Sequence, residues 1–348
     1  MKKIIFILFL FFISIIPVYA EERGIFISYI ELSEYVKGNS INSSKKNIND
    51  MIGNLYKSNF NTIYLQVRSH DDAIYKSKEF KVSPYIKLND GKSFDVLKYF
   101  IVKCKKKNIK VYAWINPFRI ENGKFYDPAD KTMQKHILKG IDEVMNYNIN
   151  GIIFDDYFYQ NDDMDLKEYN LYIKKSYISK KDFHLMVIRD FLYEVNKRIK
   201  KKNKNVLFGI SPSGNIDNLY NKDFVDIKKL TKNKKYMDFV MPQVYYGFLN
   251  SAKPYYETIK EWESISNIPT IYALPLYKSG NLDNYAGKGK KEFINNNDII
   301  EREIVLARNR ANYKGFSIYR YDNMFNENYL NDNLRLEIKN IKKVMVKK

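Results

Sequence analysis

Short apolar runs rich in β-branched and aromatic residues alternate along the chain with longer stretches in which apolar side chains recur every three or four positions. The first pattern is that of buried strands, the second that of amphipathic helices. Strands are predicted at 24–29, 62–67, 110–115, 151–154, 206–211, 238–244, 270–276 and 315–319. Helices are predicted between them at 47–57, 94–107, 133–146, 181–202, 255–266 and 297–311. Asp127-Pro128 reads as a helix start, an N-cap followed by proline in the first turn. Strict βα alternation specifies a parallel sheet. Eight units in succession favour its closure into a (β/α)8 barrel, a one-domain α/β fold, over a doubly wound sheet. The seventh unit is the least regular, with a loop over 277–293 before its helix.

The two ends lie outside this alternation. Lys2 and Lys3, an apolar run over 4–16, Pro17 and the small residue Ala20 make a secretory signal peptide pattern over 1–20. The run is too short to span a bilayer, so the expected location is secreted or cell-wall associated, with no stable membrane insertion. The barrel is expected over 21–325, and residues 326–348 predict a last helix with a basic tail. No Pro/Gly/Ser-rich linker and no internal repeat interrupts the chain.

The formal charge of +19 draws such a surface toward anionic polymers, those of a bacterial wall among them. The basic runs at 103–110 and 197–204 directly precede predicted strands, which puts them on the bottom of a barrel, away from its chemistry. Nucleic acid is therefore not the expected partner. A single cysteine, Cys104, rules out an internal disulfide. The three histidines, at 70, 136 and 184, lack the H-E-x-x-H spacing of a zinc hydrolase. No glycine-rich phosphate loop or G-x-S-x-G elbow is present, and no metal or cofactor is expected.

Chemistry in a (β/α)8 barrel gathers at the C-terminal strand ends. Those ends are polar or aromatic where the strand bodies are apolar. They read Tyr29-Ile30-Glu31, Gln66-Val67-Arg68 with Asp72 following, Trp114-Ile115-Asn116 leading to Arg119, Asp155-Asp156-Tyr157, Ser211-Pro212-Ser213, Gln243-Val244-Tyr245, Pro275-Leu276-Tyr277 and Tyr319-Arg320. Carboxylates, amides, arginines and many aromatic rings are the groups of a carbohydrate site: rings stack on sugar faces and polar groups grip hydroxyls.

The adjacent acids Asp155 and Asp156 are the strongest signal. In a regular strand they would face opposite sides, but at the strand-to-loop bend both can enter one pocket. Two acids so close push one proton affinity upward, which acid/base cleavage of a glycosidic bond requires. Glu31 offers a further carboxylate. Arg68, Asp72, Trp114, Asn116, Arg119, Tyr157, Gln243, Tyr245, Tyr319 and Arg320 are the expected substrate-binding residues. Each also has a structural reading: a buried arginine can hold a carboxylate in place, and Trp114 can equally fill the barrel. The acidic stretch 161–165 lacks the calcium-loop pattern and reads as a solvated lid.

Several segments resemble glycosyl-hydrolase-like family ten, among whose secreted bacterial members are enzymes of peptidoglycan. They are Phe60-Asn61-Thr62-Ile63-Tyr64-Leu65-Gln66-Val67-Arg68, Asp72-Ala73-Ile74-Tyr75, Ala113-Trp114-Ile115-Asn116-Pro117-Phe118-Arg119, Asp127-Pro128, Gly151-Ile152-Ile153-Phe154-Asp155-Asp156-Tyr157-Phe158-Tyr159, Phe208-Gly209-Ile210-Ser211-Pro212 and Met241-Pro242-Gln243-Val244-Tyr245. The resemblance spans about 24–325. It implies a barrel, a polysaccharide substrate, peptidoglycan above all, and a functional aspartate on the fourth strand. Two departures stand out: Ile153, where many relatives are expected to carry histidine, and Tyr29-Ile30-Glu31 on the first strand. The expected activity is that of a glycosidase acting on a cell-wall glycan with 2-acetamido sugars. A catalytically inactive glycan-binding barrel, or a metal-dependent deacetylase or esterase, are the alternatives.

Overall fold

A computed structural model describes residues 21–346. Residues 1–20, where the signal peptide is expected, and the last two residues lie outside them. The eight barrel strands are β1 (Glu22–Ile27), β2 (Thr62–Arg68), β3 (Lys110–Ile115), β4 (Gly151–Phe154), β5 (Leu207–Ile210), β6 (Phe239–Val240), β7 (Thr270–Leu274) and β8 (Tyr313–Ile318). Each pairs in parallel with its neighbours in sequence, and β8 pairs with β1 to close the ring. The predicted barrel is therefore the observed one, and every predicted strand overlaps an observed one.

The helices are α1 (Tyr29–Tyr35), α2 (Ile41–Lys57), α3 (Val96–Lys105), α4 (Lys131–Val144), α5 (Leu166–Ile173), α6 (Lys180–Lys202), α7 (Ile216–Asn221), α8 (Ile227–Leu230), α9 (Tyr255–Ile265), α10 (Glu292–Asn295), α11 (Ile299–Ala307), α12 (Tyr321–Phe325) and α13 (Asp332–Met345). Among the described residues no helix is long and apolar enough to cross a membrane.

Two boundaries differ from the sequence expectation for physical reasons. The first strand was expected to run through Tyr29. Instead Ser28 accepts from the Ile30 N–H and pairs reciprocally with Glu31 in a capping box, so the chain turns at once into α1. The sixth strand was expected to reach Val244. Its regular ladder stops at Val240 and only isolated bridges continue it at Gln243, because Pro242 has no N–H to donate.

Alternation along the strands builds two cores. Ile25, Ile27, Ile63, Leu65, Val111, Ile152 and Phe154 face outward into the helices. Phe26, Tyr64, Tyr112, Trp114, Ile153, Phe239, Met241 and Ile271 fill the barrel itself. Large rings fit inside because small residues face them. A Cβ on Gly151 would lie 2.4 Å from the Tyr112 ring, and one on Gly209 2.5 Å from that of Phe239. At the bottom, Glu22 takes the Lys110 ammonium at 2.8 Å, and the Tyr64 and Tyr112 hydroxyls each lie 3.3 Å from it.

Candidate active site

The C-terminal end of β4 carries the two acids. The Asp155 N–H still donates to the Ile115 carbonyl at 3.1 Å, which continues the ladder to β3. Asp155 therefore keeps the face of Ile153 and points into the barrel mouth. The chain then bends, the Phe158 N–H closing on the Asp156 carbonyl at 3.0 Å, while Phe158 and Tyr159 anchor the bend in the core. That bend brings Asp156 beside Asp155 instead of onto the outer wall.

Three donors converge on Asp155, which is 7% exposed. Trp114 Nε1 donates to Oδ2 at 3.1 Å, while Gln243 Nε2 at 3.0 Å and the Asp156 N–H at 3.0 Å donate to Oδ1. The Gln243 amide is itself fixed by the Ser211 carbonyl at 2.9 Å. Burial, then the charge of Asp156, raises Asp155 far above the usual carboxylate range. Burial raises Asp156 as well, opposed by its hydrogen bonds to Asp155 and Gln243 and by the charge of Arg119. Two carboxyls this close ionise in two steps.

Aromatic residues wall the mouth. Tyr245, Tyr277 and Tyr319 form a triangle with each pair of ring centroids 5.9 Å apart. Opposite, Tyr29 packs on Tyr85 at 4.6 Å and on His70 at 5.3 Å. Arg119 lies over the Tyr157 ring at 5.0 Å. Burial and the two acids push the Tyr157 hydroxyl up to about 12, and burial raises Tyr245 well above its ordinary value, so both remain hydrogen-bond donors. Asp156, Tyr157, Arg119, Gln243, Tyr245 and Tyr319 are all half-buried, at the boundary between barrel and solvent.

Other expected site residues stand behind this cup. Trp114 is only 3% exposed and its ring packs edge-on against Phe26 at 5.1 Å, so it offers its N–H to Asp155 and no face to a sugar. Asn116 is fully enclosed: Oδ1 accepts from Gln66 at 3.2 Å and Nδ2 donates to the Ser69 carbonyl at 3.0 Å. Gln66 also accepts the Tyr29 N–H at 3.0 Å, so these amides tie the ends of β1, β2 and β3 together. Arg68 was expected to share the inner face with Gln66. A register shift between Gln66 and Arg68 turns it onto the Asn116 and Pro117 carbonyls and Asp71, over the Phe80 ring. Asp72, 1% exposed, shapes its own turn by accepting from Ser69 Oγ and the His70 N–H. Glu31 is completely enclosed and engaged by Ser28 and Arg320, and Arg320 also takes Asp322 at 3.1 Å. The structure does not bring Glu31 or Arg320 to the acid pair.

Five residues of the mouth were missed: Tyr29, His70, Tyr85, Asp223 and Tyr277. Tyr29 and Tyr277 sit where strand ends were expected and were legible from position. Tyr85, in a single 3-10 turn (Pro84–Ile86), and Asp223, on a loop, lie far from any strand end, without a local signal. Asp223 follows α7 on the segment after β5, next to the β4 acids in the ring. Burial, then the charge of Asp156, pushes it up to about 7. Phe224, buried against Tyr159 at 5.4 Å and His184 at 4.3 Å with φ at 54°, holds that backbone in the left-handed region.

The model of the family described as Glycosyl hydrolase-like 10 matches residues 21–124 and 119–280. The chain belongs to this family. A relative named glycosyl hydrolase YngK, from Bacillus subtilis strain 168, is 25% identical over 337 residues, covering 80% of this chain. The chain spans 63% of the length of that relative. Among solved structures, α-L-fucosidase isoenzyme 2 from Paenibacillus thiaminolyticus is similar with a TM-score of 0.62 at 13% identity, over 93% of this chain and 49% of that one. The spore cortex-lytic enzyme SleL from Bacillus megaterium QM B1551 is similar with a TM-score of 0.51 at 12% identity, over 92% and 73%. At these identities the likeness is one of fold, the same barrel that the strand order gives.

Proposed function

We propose that this member of the Glycosyl hydrolase-like 10 family is a secreted glycosidase that cleaves a bacterial cell-wall glycan, peptidoglycan strands with 2-acetamido sugars, at the Asp155–Asp156 pair. The single observation that carries this reading is the geometry of that pair: a buried and a half-buried carboxyl side by side at the barrel mouth, held by Trp114 and Gln243 and walled by tyrosines. The +19 charge favours an anionic polymer as the place of work. SleL, a spore cortex-lytic enzyme of the same fold, is consistent with such a glycan. Arg119, Tyr157, Gln243, Tyr245 and Tyr319 contact the sugars. Behind them, Trp114 holds Asp155, and Asn116, Arg68 and Asp72 fix the loops after β2 and β3.

The mechanism follows from the contact between the acids. Acid and base, or acid and nucleophile, flanking a glycosidic bond stand about 5–9.5 Å apart, so two carboxyls in contact act from one side of the sugar. Asp156, the more exposed, gives a proton to the glycosidic oxygen as the bond from that oxygen to the anomeric carbon breaks. The carbonyl oxygen of the 2-acetamido group closes onto the anomeric carbon, with Asp155 and Tyr245 orienting it. Water then opens the ring and returns a proton to Asp156. A second reading, binding without turnover, is favoured by Ile153: the apolar side chain beneath Asp155 offers no proton relay.

The test is digestion of purified peptidoglycan, intact and amidase-treated, with mass analysis of the released sugars. Asp155→Asn and Asp156→Asn are each expected to cut turnover by roughly 10²–10⁴-fold with melting temperature retained. Near-full activity of both variants overturns the assignment, and glycan that is bound but unchanged selects the second reading.

A further inference from the structure

Arg23 and Arg308 meet Glu21, Arg68 meets Asp71, and Arg198 meets Asp142. Arg310 meets Glu263 and Arg320 meets Glu31, while Arg189, Arg302 and Arg335 pair with nearby acids. Arg119 is the exception. Among the described residues its guanidinium has neither an ion pair nor a hydrogen bond. Its contacts are ring faces, Tyr157 at 5.0 Å and Tyr29 at 6.0 Å.

This position is built. Arg119 pairs with Phe125 in an antiparallel bridge, and the Tyr126 N–H donates to the Phe118 carbonyl at 2.8 Å and the Ile120 N–H to the Lys124 carbonyl at 2.9 Å. The turn between is Asn122-Gly123, with φ at 60° and 69°, the left-handed pair that a tight hairpin requires. A hairpin thus carries the guanidinium to the mouth, where Asp156 feels its charge. Burial and Arg119 together lower the proton affinity of His70, which leaves Arg119 as the cation of that wall.

A half-buried guanidinium with free donors, one planar charge flanked by sugar-stacking rings, is complementary to one planar anion on a sugar. We propose that Arg119 is the specificity residue of an acidic-sugar subsite: it binds the carboxylate of a 2-acetamido sugar bearing a lactyl-type substituent, beside the Asp155–Asp156 pair. The subsite rests on the glycan reading above but not on turnover.

Binding tests it without catalysis. Calorimetric titration would compare a peptide-free tetrasaccharide of alternating N-acetylglucosamine and N-acetylmuramic acid with the neutral N-acetylglucosamine tetrasaccharide and its 6-phosphate. The wild-type chain is expected to prefer the carboxylate oligomer by about tenfold or more over both others, and less at high salt. Arg119→Gln is expected to abolish that preference and Arg119→Lys to keep part of it, with melting temperature unchanged because no ion pair is lost. Equal wild-type affinity for acidic and neutral oligomers, a stronger preference for the phosphate, no binding, or a preference that survives in Arg119→Gln each overturns the subsite. Cleavage of the same oligomers reports separately. Neutral oligomer cleaved without preference leaves the glycosidase standing and removes the subsite, and preferred binding without cleavage does the reverse.

Discussion

Trp114 Nε1 donates to Asp155 Oδ2 at 3.1 Å, across the seam where Trp114 on β3 lies beside Ile153 on β4. The indole is thereby a barrel filler and the fixed donor to the acid pair. The N–H stabilises the carboxylate, so Trp114→Phe raises the proton affinity of Asp155. Both limbs of the pH–rate profile are expected to move to higher pH. A lost hydrogen bond to a charged group, ~1.5–3 kcal/mol, corresponds to a roughly 10–100-fold fall in kcat. An unchanged profile would show that the indole only fills space.

Asp223 is expected to act on the dyad through its charge. It ionises at about 7, raised by burial and then by the charge of Asp156, and because repulsion between two charges is reciprocal, an ionised Asp223 opposes ionisation of Asp156 in turn. Asp223→Asn removes that repulsion, so Asp156 gives up its proton at lower pH. The alkaline limb of kcat/KM then moves down, by up to about one pH unit. An alkaline limb that stays in place would remove Asp223 from the site.

Arg68 is a clamp on the loop after β3, with its guanidinium on the Asn116 and Pro117 carbonyls and on Asp71. Arg68→Ala is expected to destabilise the chain by about 3–5 kcal/mol, because enclosed acceptors lose a charged donor. Arg68→Lys restores only part, since an ammonium lacks the planar fork. Chemical denaturation measures both, and a cost under about 1 kcal/mol for the alanine variant would refute the clamp.

Glu303 on α11 is completely enclosed, and among the described residues neither carboxyl oxygen has a hydrogen-bond partner. Burial, then the nearby Glu337 and Glu292, raises its proton affinity well above normal. The folded chain holds this proton where the unfolded chain has lost it, so the stability it contributes is present at low pH and lost as pH rises above about 4.3. Glu303→Gln carries no such proton. Its melting temperature is expected to match wild type near pH 4 and to exceed it by several degrees at pH 8. A gap of the same size at both pH values would exclude the proton as its cause.

Much of this was legible before any coordinates. The eight strands follow from short apolar runs, and the acids at 155 and 156 stand out because a carboxylate pair ends an apolar strand. The capping box Ser28-Tyr29-Ile30-Glu31 was equally readable, and it explains why Glu31 serves α1 and Arg320 instead of the mouth. Arg68 could not be read: a single register shift in a period-two strand moves a side chain to the other face, and that shift depends on how β2 and β3 pair.

By itself the sequence determined what is local: periodicity, strand ends, and the adjacency of two acids. Barrel closure decided what is not. It turned Trp114 from a candidate stacking face into the donor to Asp155, brought Asp223 toward Asp156 from a loop beyond α7, and left Arg119 without an acid partner among the described residues. The physical reason is that burial and the partners of a polar group depend on residues distant in sequence, and only the folded ring brings those together.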